Sequence, residues 1–499
     1  MLNKMIFLDK ELESFFSKSD DPFKRITEIN GTIYRNTANR VTKRFSIGER
    51  TFFLKYHGPI GYKEVLKNVL KFQLPTVSAK PEWRALEKVN SLGLDVPKPL
   101  AMCSRGLNPA KSESFIITES VEPNKSIEDV LDSDYFSGSH INEKRRFIRK
   151  VAKISKTLHE GGVNHRDLYL CHFLIEENLD SEKPIYLIDL HRAQIRKEVP
   201  NRWAIKDIGG LIHSAIGYGM TERDLYRFFE VYFNKPLRKF SKEENNFLKL
   251  SITRAFKMYM KPILNDIDIS SERINSENSR YYKKTEENLR YIVKKDFAEN
   301  FKNLISDIDL IMNKGEIIKK EAGHFIIACD FNGERIFIKK YQMKNFFHKF
   351  RKLASKTRAR VAWESSHWLN SAGISTFEII GIIERFNSIS TTDSYLISRN
   401  IEGKRLEDMK FSLEESISLA NKFNAFFKKL NWISFNHGDA KKQNFYVHNN
   451  SLIAFDLDSS KRRVFYKNRY LLKDKRRIIK SFKDNEVILN LLKKRMDSK

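Results

Sequence analysis

Positions 165–172 combine an acid, a guanidinium and two imidazoles at a spacing that could do chemistry. The triplet His165-Arg166-Asp167 is typical of a kinase catalytic loop, in which the Asp positions an attacking hydroxyl and takes up its proton. A polar residue five places after that Asp normally helps to hold magnesium, and His172 stands there where Asn is usual. Because such a triplet is common by chance, the prediction depends on the presence of its partners.

Two further charged residues follow apolar segments in the first half of the chain. Lys55 ends an apolar strand, where a kinase keeps the lysine that grips the α- and β-phosphates of ATP; an edge-strand lysine that prevents aggregation is the alternative. Asp189 ends the apolar segment 185–189, where a kinase holds magnesium. The order Lys55, Asp167, Asp189 predicts a site for ATP and Mg²⁺. Asp167 is the predicted catalytic base, and Asp189 and His172 are the predicted metal ligands.

The elements that must position these residues follow from composition and periodicity. Aromatic and β-branched residues around a glycine turn predict a hairpin over residues 30–57, which contains Lys55. A helix over residues 81–93 carries Glu82, the candidate carboxylate partner of Lys55, with Glu87 one turn later as the alternative.

The second half of the chain repeats the lysine strand. Residues 333–341 match residues 48–56, and without gaps this aligns Lys340 with Lys55. Lys339 could equally end the strand facing inward, so both lysines are candidates for the phosphate-binding role.

The other catalytic groups also recur in the second half. Asp439 follows His-Gly and is itself followed five residues later by Asn444, the usual magnesium ligand. Asp456 ends the next apolar strand and is the second predicted metal ligand of this half. Glu364, on a helix before a glycine, is the predicted counterpart of Glu82. Asp439 is therefore a second predicted catalytic base.

A shared spacing links the two halves. Asp207 lies 18 residues after Asp189, and Asp474 lies 18 residues after Asp456, each preceded by Lys. In kinases a helical Asp at such a place braces the catalytic loop from below. The same interval in two dissimilar sequences predicts an internal duplication.

Composition is consistent with a large globular enzyme. With 499 residues and 41% hydrophobic residues, the chain is long enough for two domains with cores of their own. Three scattered cysteines favour a reducing compartment over a disulfide framework or a zinc site. The formal charge of +28 favours a polyanionic partner. Binding of nucleic acid would leave two catalytic constellations unexplained, so no nucleic-acid partner is expected.

The predicted fold is α+β: two tandem protein-kinase-like domains, each with a small antiparallel β N-lobe and a mainly helical C-lobe. We place the first domain at residues 1–265, a helical and charged linker at residues 266–300, and the second domain at residues 301–499.

Several multi-residue motifs resemble one family. Residues 165–174, His-Arg-Asp-x-Tyr-x-Cys-His-Phe-Leu, and residues 188–194, Ile-Asp-Leu-His-Arg-Ala-Gln, are similar to the lipopolysaccharide core heptose(I) kinases. Residues 52–58, 67–75 and 202–207 extend this resemblance, in which His at the Asn position is a family trait. The second half resembles the smaller lipopolysaccharide kinases that act on Kdo or on a second heptose.

The resemblance implies ATP-dependent phosphorylation of heptose in the inner core of a lipid A-core glycolipid, at the cytoplasmic side of the inner membrane of a Gram-negative bacterium. Two basic segments, residues 60–73 and 461–499, are candidates for peripheral contact with that membrane. The alternatives are one active domain with a pseudokinase or glycolipid-binding module, or a small-molecule phosphotransferase of the aminoglycoside type. The Ala-Pro-Glu motif of protein kinases is missing from both intervals after the metal Asp, which disfavours a protein acceptor.

Overall fold

A computed structural model places two compact units, residues 1–255 and 256–499, and each is described by itself. It describes residues 4–496 except 19–20, 38, 63–77, 107, 109, 123, 133–140, 177–182, 219, 271–278, 287, 322–323, 343–355, 387–390, 401–402 and 464–466. The division between the units falls within one long helix, Lys242–Asp266. The predicted basic helix at residues 60–73 lies almost wholly outside the described residues.

The first unit is built on an antiparallel sheet with the strand order β1-β5-β6-β4-β3-β2. Small two- and three-stranded sheets hold the remaining strands. The described strands are β1 (Lys4–Phe7), β2 (Thr32–Thr37), β3 (Arg40–Ile47), β4 (Arg50–His57), β5 (Pro99–Arg105), β6 (Glu113–Glu119), β7 (Asn124–Ser126), β8 (Val163–Asn164), β9 (Phe173–Glu176), β10 (Tyr186–Leu187) and β11 (Gln194–Ile195). The predicted hairpin over residues 30–57 is confirmed as β2, β3 and β4.

Helices flank this sheet and form most of the chain after it. They are α1 (Lys10–Phe16), α2 (Pro22–Glu28), α3 (Lys80–Ser91), α4 (Ile127–Asp132), α5 (Ile141–Glu160), α6 (Asn201–Ile216), α7 (Glu222–Tyr232) and α8 (Lys242–Asp266). On β4, Phe52 and Leu54 are buried in a core shared with α1 and α2. Since successive side chains of a strand point to opposite faces, Lys55 is directed to the other face, where α3 lies.

The second unit repeats the first sheet. Its order β12-β13-β17-β18-β16-β15-β14 is that of the first sheet, strand for strand, with β12 added at one edge. The described strands are β12 (Tyr281–Glu286), β13 (Leu289–Lys294), β14 (Glu316–Glu321), β15 (His324–Phe331), β16 (Glu334–Gln342), β17 (Ile379–Phe386), β18 (Thr391–Arg399), β19 (Lys404–Arg405), β20 (Phe435–Asn436), β21 (Phe445–His448), β22 (Ser451–Ala454) and β23 (Lys461–Arg462).

The helices of the second unit enclose one large apolar core around Trp363, Phe423 and Phe427. They are α9 (Ala298–Ser306), α10 (Ile308–Lys314), α11 (Arg358–Ser371), α12 (Leu413–Trp432), α13 (Lys467–Ser481) and α14 (Glu486–Met496). The predicted α+β fold, with a β-rich part followed by a helical part in each half, is confirmed.

The prediction of a helical linker at residues 266–300 is wrong. Strands β12 and β13 occupy residues 281–294 and pair along their whole length in the second sheet. The many charged residues of this segment led to the wrong prediction, whereas β13 contains a continuous buried run, Tyr291, Ile292 and Val293, as expected of a strand covered on both faces.

Candidate active sites

In the first unit, Lys55 lies between two carboxylates. Its Nζ donates to Oε1 of Glu82 at 2.6 Å and to Oδ1 of Asp189 at 3.3 Å. The Glu82 side chain is 2% exposed, whereas Glu87 is exposed on the opposite side of α3. Of the two predicted partners of Lys55, the structure therefore brings Glu82 to the site.

Burial and charge fix the ionisation of this group. Burial alone would lower the pKa of Lys55, but the charges of Glu82 and Asp189 outweigh it and raise the pKa above its ordinary value. Burial would raise the pKa of Asp189, yet the hydrogen bond from His191 and the charge of Lys55 hold that pKa well below the ordinary range. The site thus keeps an ammonium and a carboxylate at neutral pH, as an ATP- and Mg²⁺-binding site requires.

Asp207 fixes the backbone of the predicted catalytic loop of the first unit by hydrogen bonds. Its carboxylate accepts the backbone N–H of His165 at 2.7 Å and that of Arg166 at 2.8 Å. In the second unit, Asp474 accepts the backbone N–H of Gly438 at 3.0 Å in the same way. The structure places both Asp residues where the shared spacing predicts a brace.

The two loops also share a strained position. Arg166 has φ 73° and Gly438 has φ 89°, so the residue before the catalytic Asp adopts a left-handed backbone in both units. Glycine takes this conformation without the steric penalty of a Cβ. At Gly438 an added Cβ would also overlap the carbonyl oxygen of Ser459. The backbone conformation and the nearby carbonyl therefore explain why glycine occupies position 438.

His172 and Asn444 make the same contact in their units, with the backbone carbonyl of the predicted catalytic Asp. Nδ1 of His172 is 2.7 Å from the carbonyl oxygen of Asp167, and Nδ2 of Asn444 donates to the carbonyl oxygen of Asp439 at 2.8 Å. With Nδ1 as the donor, Nε2 of His172 is left as an acceptor 3.6 Å from Asp189. Nitrogen is a less usual magnesium ligand than oxygen, so Asp189 is the stronger candidate of the two predicted ligands.

Each predicted catalytic Asp has a cationic neighbour. Arg192 donates to both carboxylate oxygens of Asp167 at 2.9 Å, and Lys441 lies 3.0 Å from Asp439. The sequence did not lead us to predict either cation, although Arg192 lies within the motif at residues 188–194. These contacts orient the two carboxylates, and a bound acceptor would have to share or displace the cation.

In the second unit the choice between the two lysines is resolved. Nζ of Lys339 donates to Oδ1 of Asp456 at 2.6 Å and to Oδ2 of Asp458 at 3.3 Å. Lys340 points to the other face of β16, where its Nζ is 3.6 Å from Asp393. Lys339 is thus the counterpart of Lys55, and the ungapped alignment that favoured Lys340 is off by one residue.

The prediction that Glu364 pairs with the phosphate-binding lysine is wrong. Its carboxylate accepts from Nε of Arg360 at 3.1 Å and from Lys356, so it belongs to a surface cluster. Ala362 stands 11 residues before Gly373, where Glu82 stands 11 residues before Gly93. The helix of the second unit therefore has no carboxylate at the place that faces the lysine.

Asp458 supplies that carboxylate from another element. Its side chain is 3% exposed, and its Oδ2 accepts from Lys339 at 3.3 Å and from Arg358 at 2.7 Å. It lies two residues after Asp456, at the place where the first unit has His191. Sequence reasoning missed Asp458, for which the only signal was the second Asp of Asp456-Leu-Asp458.

Each constellation borders a cleft. The first measures about 310 Å³ and is lined by Lys55, Glu82, His172 and Asp189, together with Glu119 at the end of β6 and Val121 just after it. The second measures about 630 Å³ and is lined by Lys339, Asn444 and Asp456. Both Asp189 and Asp456 adopt a left-handed backbone, with φ 62° and 57°, at the start of a short 3-10 turn.

The donors fit a metal held jointly with a nucleotide. Among the described residues no group of three or more His, Cys, Asp and Glu is arranged to bind a metal alone. Mg²⁺ in kinase sites takes one or two carboxylates together with phosphate oxygens and water. Asp189 and Asp456 could provide those carboxylates.

A family model for the lipopolysaccharide kinase (Kdo/WaaP) family matches residues 25–232 and 315–493. The chain belongs to this family. It is accordingly a kinase, which implies ATP as the phosphoryl donor. The two matched regions contain both candidate sites.

Individual relatives agree with this assignment. The chain is 38% identical over 254 residues to the lipopolysaccharide core heptose(I) kinase WaaP of Escherichia coli (strain K12), covering 50% of this chain and 96% of the relative. It is 37% identical over 247 residues to WaaP of Pseudomonas aeruginosa, covering 48% and 90%. A 3-deoxy-D-manno-octulosonic acid kinase of Actinobacillus succinogenes is 24% identical over 159 residues, covering 31% and 62%.

A solved structure of WaaP in complex with acyl carrier protein aligns with a TM-score of 0.44 and 30% identity, covering 51% of this chain and 99% of that chain. In the part of the chain that the structure describes, we find no helix long and apolar enough to cross a membrane.

Proposed function

We propose that this chain phosphorylates sugar hydroxyls of the lipopolysaccharide inner core with two active kinase units. The first acts on a heptose, and the second acts on a different sugar, either a second heptose or Kdo. The observation that carries this proposal is repetition of one constellation in both units. Each unit has a lysine on a central strand, a braced catalytic Asp and a left-handed Asp (Lys55, Asp167, Asp189; Lys339, Asp439, Asp456).

The chain's own residues account for the steps of phosphoryl transfer. The carboxylate of Asp167 or Asp439 orients the acceptor hydroxyl and receives its proton as the new oxygen–phosphorus bond forms. ADP leaves as the bond between the β- and γ-phosphates breaks. Lys55 and Lys339 neutralise phosphate charge in place, which is the main contribution that proteins make to this reaction.

Asp189 with His172, and Asp456 with Asn444, would hold magnesium, which would supply charge neutralisation to the phosphates. In the first unit, Lys55 is positioned by the carboxylate of Glu82 on α3. In the second, Asp458 does this from the loop after Asp456.

The acceptor that we propose is a lipid A-core glycolipid, which would require the enzyme to work at the cytoplasmic face of the inner membrane. The +28 formal charge supports peripheral contact with that anionic surface. Exposed or half-exposed cations of helix α13 support the same contact, among them Arg469, Arg476, Arg477 and Lys480.

One observation favours a second candidate function for the second unit. Ala362 replaces the helix carboxylate, as a pseudokinase that binds the glycolipid without transferring phosphate could tolerate. The retained contacts of Lys339 with Asp456 and Asp458 favour activity instead.

The proposal is tested by incubating the purified full-length chain with ATP and with core lipopolysaccharide from a strain that lacks this kinase, and identifying the phosphorylated sugars. Asp167→Ala should abolish transfer to one sugar and Asp439→Ala transfer to another, each leaving the other product intact. Asp330→Asn, an exposed acid, is the matched control and should change neither product. Loss of both products on Asp167→Ala alone would make the second unit a binding module.

A further inference from the structure

A motif near the start of α6 recurs at the start of α13. Residues 201–207 read Asn-Arg-Trp-Ala-Ile-Lys-Asp, and residues 468–474 read Asn-Arg-Tyr-Leu-Leu-Lys-Asp. Its last residue is the brace of the catalytic loop in each unit. The brace does not require the Arg, the aromatic residue or the Lys, so these residues need another explanation.

Cations surround the aromatic ring of this motif. In the first unit, Nζ of Lys206 lies 4.0 Å from the centre of the Trp203 ring, and Cζ of Arg196 lies 5.3 Å from it. In the second unit, Cζ of Arg463 lies 4.0 Å from the centre of the Tyr470 ring. We call Arg196, Trp203 and Lys206 the first cation site, and Arg463, Tyr470 and Lys473 the second cation site.

Each arginine is fixed to the catalytic loop by a neutral side chain. Arg196 donates to Oδ1 of Asn164, and Arg463 donates to Oδ1 of Asn436 at 3.2 Å. Both Asn residues are buried and lie three residues before the catalytic Asp. The guanidinium is thereby oriented while its charge stays unneutralised, because an amide oxygen carries no net charge.

These cations form no ion pair with any described residue, and Lys206 and Lys473 are exposed. Further cations add to the first site. Burial, Arg254, Arg166 and Arg202 together lower the pKa of Lys206. Crowded like charges beside an oriented guanidinium favour an anionic ligand, and Arg matches the oxygens of phosphate and carboxylate in a bidentate manner.

The cation sites are separate from the nucleotide clefts. The clefts that contain Lys55 and Lys339 are lined by other residues, whereas Tyr470 and Lys473 border a recess of about 560 Å³ along α13. A ligand anchored to the catalytic loop but outside the nucleotide cleft lies on the acceptor's side of the reaction.

We infer that both cation sites bind oxyanion groups, phosphate or carboxylate, of the saccharide acceptor and so place its hydroxyl near Asp167 or Asp439. This inference rests on the proposed function. The sites would explain how two units with different catalytic loops both select an anionic sugar.

Calorimetric titration of the full chain without ATP tests this inference independently of turnover. The probe is deacylated lipopolysaccharide core, which keeps its phosphates and carboxylates, used before and after phosphatase treatment. Replacing the four cations of both sites by Gln should weaken binding about tenfold or more, since a charge-assisted hydrogen bond is lost at each site. A control with the same charge change replaces four exposed lysines by Gln: Lys197, Lys239, Lys410 and Lys461.

Affinity of the site variant equal to that of the control would overturn the inference. So would unchanged core binding combined with lost binding to vesicles that contain phosphatidylglycerol, because the cations would then serve the membrane surface. Phosphatase treatment distinguishes phosphate from carboxylate as the ligand. If the wild-type chain binds the treated core more weakly, the sites bind phosphate. If the wild-type chain still binds the treated core and the site variant does not, the sites bind carboxylate. A chain that binds core in this way but transfers no phosphate would refute the proposed function alone.

Discussion

Replacing Asp458 by Asn should weaken nucleotide binding in the second unit, because Asp458 is the buried partner of Lys339. Without Asp458, Lys339 would contact only Asp456, at 2.6 Å, and would engage the carboxylate that we propose as the magnesium ligand. A hydrogen bond between charged groups contributes roughly 1.5–3 kcal/mol. The contact of Lys339 with Asp458 is 3.3 Å long, so the lower figure applies and MgATP affinity should fall about tenfold.

The assay is calorimetric titration of MgATP into a full-length chain that also carries Lys55→Met, so that the remaining binding reports the second unit. Glu364→Gln is the matched control, since this residue pairs with Arg360 at the surface and should leave MgATP affinity unchanged. If Glu364→Gln weakens binding and Asp458→Asn does not, the assignment of the lysine's partner is refuted.

A reciprocal change in the first unit strengthens the test. Glu82→Ala should weaken MgATP binding there, and adding His191→Asp should restore part of it, because the carboxylate would then come from the loop as it does in the second unit. Failure of His191→Asp to recover any affinity would mean that the two arrangements are not equivalent.

Three further predictions concern single positions. Lys339→Met should abolish phosphate transfer by the second unit while Lys340→Met leaves it within a few-fold of wild type, measured as product formed in a chain carrying an inactive first unit. Gly438→Ala should lower the stability of the second unit by about 1–3 kcal/mol in thermal unfolding, because a Cβ is strained at this backbone conformation and meets Ser459; an unchanged melting temperature would contradict this. Burial lowers the pKa of His57 from 6.5 to about 4, so the unfolded chain binds a proton that the folded unit rejects and stability falls as the pH drops below 6.5. His57 should contribute about 2 kcal/mol to the loss of stability between pH 7 and pH 5, and urea unfolding should show that His57→Gln removes this contribution.

The sequence predicts those parts of the sites that are local. A lysine at the end of an apolar strand, an Asp in a triplet and an Asp after a strand are each written in a few adjacent residues, and the structure brings them together in each unit. The duplication is visible for the same reason, since Asp207 and Asp474 each lie 18 residues after the Asp that we propose as a metal ligand.

The parts that the sequence could not predict depend on register and on contacts between distant elements. Lys339 and Lys340 differ only in the face of β16 on which they lie, and a shift of one residue exchanges the faces. Asp458 and Glu364 are both acids near the site, and only packing decides which one meets the lysine. The segment of β12 and β13 was mistaken for a linker because its many charged residues obscured the short buried run of β13.

Mass spectrometry of the core oligosaccharide tests the central claim most directly. A strain lacking this gene is complemented with the wild-type chain, with Asp167→Ala or with Asp439→Ala, and the phosphorylated sugars are identified. Two active units predict two phosphates with wild type and one phosphate with each variant, on different sugars. Identical phosphorylation of wild type and Asp439→Ala would contradict a second active kinase unit.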